Sequence, residues 1–288
     1  MSAQITKRSA LAALSGTFAA ACSPLSLFAT LSPKDPASQV ARGEAYGAGA
    51  RQRLDVYAPR RGPQAAPLAV FFYGGSWDSG RRQDYSWVGR ALASRGFVTV
   101  VADYRLYPEV RYPGFLEDGA QAVAWASRNA AQLGGDPGRI VLVGHSAGAY
   151  NAVMLALDGR YLRAAGVDPK AVKAMAGLSG PYDFLPIRSD ITERVFGGTA
   201  DRPSTQPLAY VRPDSPPAFL ATGAADDMVW PKNTIALAKK LREAGVPVEE
   251  RHYDGVDHVS MVLALSKPLR GRAPVLDDMT GFLRRHAS

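Results

Sequence analysis

The segment Gly144-His145-Ser146-Ala147-Gly148 puts a serine midway between two glycines. That spacing suits a nucleophile standing on a sharp strand-to-helix turn, where side chains at the flanking positions would collide as the chain reverses. A serine so placed lies at a helix N-terminus, whose free N–H groups favour negative charge developing during attack on a carbonyl. A neutral hydroxyl needs a base, and the chain has four histidines. His145 adjoins the serine, so its side chain should diverge and serve packing or polar support. His286 stands two residues from the C-terminal end and is expected to fray. His252 falls inside the alternating Val248–Tyr253 segment, where a strand position accounts for it. His258 closes the turn-like Asp254-Gly255-Val256-Asp257-His258 and is the expected general base.

A base of this kind works best when a carboxylate fixes its tautomer and stabilises the imidazolium. Asp226 and Asp227 both lie in the loop that follows the apolar Ala218–Ala221 segment, and Asp226 is favoured, with the other free to cap the next helix. Acyl transfer also needs donors for an oxyanion, usually backbone N–H groups. Ala147, directly after the serine, should give one. The loop Tyr73-Gly74-Gly75-Ser76-Trp77 should give the others through Gly74 and Gly75, since glycine lets the backbone approach a substrate closely. Trp77, Tyr182 and Trp230 are candidate pocket walls.

These residues must be held by something, and the chain supplies a regular alternation. Apolar runs at Leu68–Phe72, Phe97–Ala102, Ile140–Val143, Ala174–Leu178, Ala218–Ala221 and Val246–Tyr253 read as strands, most of them buried on both faces. Tyr85–Arg95, Phe115–Leu133, Ala147–Leu157 and Pro231–Ala244 read as helices. The result is an α/β protein: a mostly parallel sheet with helices on both faces and its site outside the carboxyl ends of the strands. Arg51–Tyr57 alternates and is expected as an antiparallel strand at the sheet edge. Residues 181–217 break the rhythm with seven prolines, and read as a cap over a pocket or, otherwise, as a plain surface insertion.

Composition narrows the field. The 288 residues are 47% hydrophobic and 21% charged, enough to bury a large core. The net charge of +8 is dispersed as single and paired arginines, without the long basic runs of a nucleic-acid binder. One cysteine, Cys22, rules out an internal disulfide or a multi-thiolate metal site. Lys7-Arg8 precedes an uncharged stretch from Ser9 to Pro33, so residues 1–21 read as an export signal and 22–41 as a linker before a domain at 42–288. Ala19-Ala20-Ala21-Cys22 resembles a bacterial lipoprotein processing site, with lipid attached at Cys22, although Ala19 stands where Leu is usual. Simple secretion and a plain disordered N-terminus are the alternatives. The expected location is periplasmic or membrane-anchored.

Together these segments resemble the α/β-hydrolase esterase and lipase superfamily, particularly the hormone-sensitive-lipase-like, feruloyl-esterase-like and kynurenine-formamidase-like groups. The resemblance runs from about Arg51 to the C-terminus. It rests on Leu54-Asp55-Val56-Tyr57, Tyr73–Trp77, Val101-Ala102-Asp103-Tyr104-Arg105-Leu106, the Ser146 elbow and the Asp226 and His258 loops. Tyr73 stands where the family usually has His, and Ser76 where the hormone-sensitive-lipase-like group has a third Gly. Asp103-Tyr104-Arg105 looks structural, packing a loop under the site. The resemblance implies hydrolysis of a small or medium acyl ester through an acyl-serine, with no metal or organic cofactor. An amide substrate for the same triad, and a non-catalytic envelope binding protein, are the competing readings.

Overall fold

Runs of Val, Ala, Leu and Phe with no polar face can be covered only if helices lie on both sides, and this is how the sheet is built. The computed structural model describes residues 24–61 and 65–287. Eight strands, β1 (Ala37–Ala45), β2 (Arg53–Pro59), β3 (Ala66–Phe72), β4 (Val98–Ala102), β5 (Gly135–His145), β6 (Val172–Leu178), β7 (Ala218–Gly223) and β8 (Val248–Tyr253), form one sheet in the order β1-β2-β4-β3-β5-β6-β7-β8. β1 and β2 are antiparallel to their neighbours, and every other pairing is parallel. β4 and β7 are buried at every position. The helices are α1 (Pro24–Leu31), α2 (Ser86–Ser94), α3 (Gly114–Leu133), α4 (Ala147–Leu157), α5 (Arg160–Ala164), α6 (Asp190–Phe196), α7 (Lys232–Glu243), α8 (His258–Leu263) and α9 (Val275–His286). This is the α/β-hydrolase architecture that the resemblance implies.

The chain leaves β3 for β4 on one side and returns to β5 on the other, so the strand order reverses at β3. A crevice opens at such a point, outside the carboxyl ends of the strands. The register makes this concrete. Phe72 pairs with Gly144, so the Tyr73–Trp77 loop and the Ser146 turn emerge side by side. His145 pairs with Leu178, Leu178 with Ala221, and Gly223 with Tyr253, which brings the loops after β5, β7 and β8 to the same end. α4, which follows the serine, is buried at all its positions and fixed between the sheet and its covering elements.

Four expectations need correction. Residues 22–41 are not a linker where they are described: Phe28 of α1 packs edge-on against Trp87 at 5.5 Å, and β1 begins at Ala37. β2 is not the edge strand, because β1 pairs outside it with two register irregularities. Arg42 and Glu44 lie on this outer strand, and bulges and charges there discourage pairing with another chain. His286 does not fray; it ends α9 with its ring 4.4 Å from that of Phe282. Tyr182 does not wall a pocket, since it is fully buried with its phenol against Gly177 and Gly180, where any Cβ would collide with it. Residues 1–21 and Cys22 lie outside the described residues. Among the described residues no helix is long and apolar enough to cross a membrane.

Candidate active site

Ser146 has φ 57° and ψ −127°, a backbone conformation that L-residues rarely occupy and that persists only where its surroundings enforce it. The enforcement is visible. A side chain at Gly144 would strike the Gly148 carbonyl, and one at Gly148 would strike the Phe72 carbonyl, so the turn closes only with glycine at both positions. The Ser146 N–H donates to Leu178 O at 2.9 Å, tying the turn to the end of β6.

The hydroxyl thus presented donates to His258 Nε2 at 2.8 Å, and His258 Nδ1 donates to Asp226 Oδ2 at 2.9 Å. Of the two aspartates in that loop, Asp226 is the one brought to the histidine. Its other oxygen accepts from the backbone N–H groups of Met228 at 3.1 Å and Val229 at 2.8 Å. Burial works to raise the Asp226 pKa, but the bonds from His258 and the Val229 amide outweigh it and hold the carboxyl below its ordinary range. An ionised Asp226 fixes the proton of His258 on Nδ1 and leaves Nε2 free to accept. His252 lies far from this chemistry, exposed on β8 with its ring 2.8 Å from Glu250 Oε1.

His145 has a positioning geometry that residue spacing did not disclose. Its Nε2–H donates to the His258 carbonyl at 2.9 Å, and the two rings lie 4.8 Å apart. Burial, and then the neighbouring His258, push its pKa down to about 3. It is therefore neutral, and the single proton must sit on Nε2 to make that bond. The serine turn and the His258 loop are thereby linked a second time, independently of the Ser146 hydroxyl.

On the other side of Ser146, a Cβ on Gly74 would lie 2.8 Å from the Ser146 Cβ, so this glycine's backbone passes directly against the nucleophile. Gly75, Ser76 and Trp77 follow with φ of 125°, 50° and 60°, all in the left-handed half of the map. The N–H groups of Gly74, Gly75 and Ala147 have no acceptor among the described residues, which is the state expected of donors awaiting an oxyanion. The loop is braced from below. The Tyr73 hydroxyl donates to Asp103 at 2.8 Å, and its ring stacks on Tyr104 and Tyr85 at 4.9 and 5.3 Å. Asp103 also accepts from Arg82, which pairs with Asp55, while Arg51 donates to the Tyr73 hydroxyl and the Gly80 carbonyl. Tyr104 donates to the Tyr73 carbonyl at 2.7 Å, so the segment read as structural does underlie the loop.

A cleft of about 600 Å³ opens over Ser146. Trp77 and Trp230 both line it, Trp77 from the buried floor and Trp230 from the exposed mouth. Residues of the 181–217 interval form another wall through Phe184, Leu185 and Ile191. Asn233 accepts from the Tyr182 and Asp183 amides, and Gln206 from that of Phe184, so this wall is pinned by side chains distant in sequence. Within the interval, α6 sends Phe196 into a cluster with Trp77, 4.9 Å between centroids. Among the described residues no group of three or more His, Cys, Asp or Glu is arranged to hold a metal ion.

The sequence profile of the BD-FAE family matches residues 54–241. A probable isoprenylcysteine alpha-carbonyl methylesterase of Oryza sativa subsp. japonica is 31% identical over 265 residues, covering 84% of this chain and 62% of that protein. The chain thus spans somewhat under two thirds of the length of the plant relatives it matches. Carboxylesterase NlhH of Mycobacterium tuberculosis (strain CDC 1551 / Oshkosh) is 31% identical over 244 residues, 76% of this chain and 74% of that one. Among solved structures, the hyperthermophilic esterase of Pyrobaculum calidifontis superposes with a TM-score of 0.73 at 24% identity, covering 91% of this chain and 89% of that one.

Proposed function

The chain belongs to the BD-FAE family, and from that premise we propose that it is a carboxylic-ester hydrolase acting through an acyl-serine. The observation that carries the reading is the relay from Ser146 through His258 to Asp226, with bonds of 2.8 and 2.9 Å. The names of its relatives, a carboxylesterase and methylesterases, support an ester as the bond cleaved. His258 takes the Ser146 proton as Oγ adds to the ester carbonyl. The oxyanion that forms accepts from the Gly74, Gly75 and Ala147 amides, donors already in place before the reaction. Collapse expels the alcohol, which takes the proton from His258. Water, deprotonated by the same nitrogen, then releases the acid.

A fluorophosphonate probe tests the reading. It should label the wild-type chain at Ser146 and leave Ser146→Ala unlabelled, while His258→Ala should lower kcat on a simple acetate ester by about 10⁶-fold. Full turnover in His258→Ala would sink the assignment of the base.

The N-terminal segment carries a second, separable proposal: export, with lipid attached at Cys22. Lys7-Arg8, the uncharged stretch that follows and the small residues before Cys22 support it. Radiolabelled palmitate should enter the wild-type chain and not Cys22→Ser; equal labelling of both would reject lipidation at this residue.

A further inference from the structure

The tetrahedral carbon formed at Ser146 has four directions to fill, and three are already assigned. One is Oγ. The oxyanion turns to the Gly74, Gly75 and Ala147 amides. The alkoxy oxygen must turn toward His258 Nε2, 2.8 Å from Oγ, because that nitrogen holds the proton it needs on leaving. The acyl chain is left the remaining direction, for which the cleft offers the walls apart from the Asp226 loop, those of Trp77, Phe184 and Leu185. The two ends of an ester therefore meet different surroundings. The acyl side is enclosed: Trp77 is 4% exposed, and Phe184 is wedged 5.1 Å from the Phe196 ring.

The leaving-group side is open and apolar. Asp226 grips the amides of Met228 and Val229, so the loop carrying Met228 and Trp230 is fixed to the same carboxylate that holds His258. Met228 is 66% and Trp230 60% exposed, and both line the cleft. The Trp230 ring is held in place. The indole N–H donates to Asp227 O at 2.9 Å, and the Lys232 ammonium lies 5.7 Å from the ring centroid, which holds the ring while leaving apolar surface uncovered. Large apolar side chains kept exposed beside a cleft mark a surface awaiting an apolar partner.

We propose that the enzyme selects esters whose alcohol portion is large and apolar, carried on a shelf made by Met228 and Trp230, while the enclosed side limits the acyl portion. The inference rests on the ester-hydrolase reading above. In the step concerned, the bond from the carbonyl carbon to the alkoxy oxygen breaks with its electron pair on oxygen. That oxygen takes the proton His258 received from Ser146, and the acyl group stays on Oγ until water replaces it.

The test compares kcat/KM for methyl, butyl and hexyl acetates with that for methyl acetate, butanoate and hexanoate. Simple alkanols differ little in basicity, so the first series reads binding. Hexyl acetate should exceed methyl acetate by at least about tenfold, from the methylenes taken onto the shelf, and the gain along the methyl alkanoates should be smaller. Trp230→Ala and Met228→Ala, both at exposed positions, should each lower the hexyl-to-methyl acetate ratio by about threefold or more, chiefly through KM. A ratio unchanged in both variants, or a larger gain along the acyl series, would overturn the shelf while esters are still hydrolysed. If no ester turns over and Ser146 takes no phosphonate, the ester reading fails and this inference with it.

Discussion

The two loops that flank Ser146 are built on opposite plans. On one side, Tyr73–Trp77 rests on buried charge and stacked rings: Asp103, Arg82, Asp55 and Arg51 beneath, Tyr85 and Tyr104 against the Tyr73 ring. On the other, Asp226–Trp230 leaves two of its large side chains in solvent and is held through main-chain amides. The difference follows from what each side must meet. An oxyanion is the same in every ester, so its donors gain from a mount that never moves, because donors already in place need no reorganisation during reaction. A leaving alcohol varies from substrate to substrate, and an open surface accepts variation.

Four substitutions would break or sharpen this contrast. The largest effect is expected from Asp103→Ala, which leaves the buried Arg82 guanidinium with Asp55 as its one carboxylate partner and removes the acceptor of the Tyr73 hydroxyl, and should lower the unfolding free energy by about 3 kcal/mol in urea titrations. A loss below about 1 kcal/mol would mean the brace is idle. Next is Gly74→Ala, whose new methyl would press on Ser146. Its kcat should fall about 10²–10³-fold, the scale of losing an oxyanion donor, with KM changed far less.

Smaller is the pH effect of His145. Its folded pKa of about 3 lies below the ordinary 6.5, so between those values the unfolded chain binds a proton that the folded chain refuses. Its contribution is complete above 6.5 and is lost as pH falls toward 3; from pH 7 to pH 5 the loss should be about 2 kcal/mol. His145→Gln, which can still donate to the His258 carbonyl, should flatten that slope in thermal unfolding at the two pH values. Smallest is Trp230→Ala, expected to change stability by under about 0.5 kcal/mol, since the ring is mostly exposed. A large loss there would erase the contrast between the loops.

Much of this was legible in the residues. The glycine spacing around Ser146 works because an apolar strand precedes it and an apolar helix follows, and both features are local. His258 could be separated from His252 because one closes a turn and the other alternates within a strand. Asp226 could not be separated from Asp227 with the same force, since two adjacent loop carboxylates differ only in which one the fold turns inward. Tyr182 was misjudged for a related reason: an aromatic in a proline-rich stretch carries no period, and the slot that swallows its ring is formed by Gly177 in a neighbouring strand and Gly180. The brace under Tyr73 gathers residues from several segments of the chain, and no spacing rule connects them. α1 was hidden by the uncharged stretch before it, although Pro24 at the first helical position was a signal.

The grip of Asp226 on the Met228 and Val229 amides bears on how this protein could diversify. The carboxylate reads N–H groups, which nineteen of the twenty coded residues present alike. Side chains at 228 and 229 can therefore be exchanged widely without loosening the triad, and proline is the one residue at either position that removes a donor from it. A library randomised there explores substrate range at little risk to turnover, so the alphabet open to selection is almost complete at the place where a new alcohol would first be met.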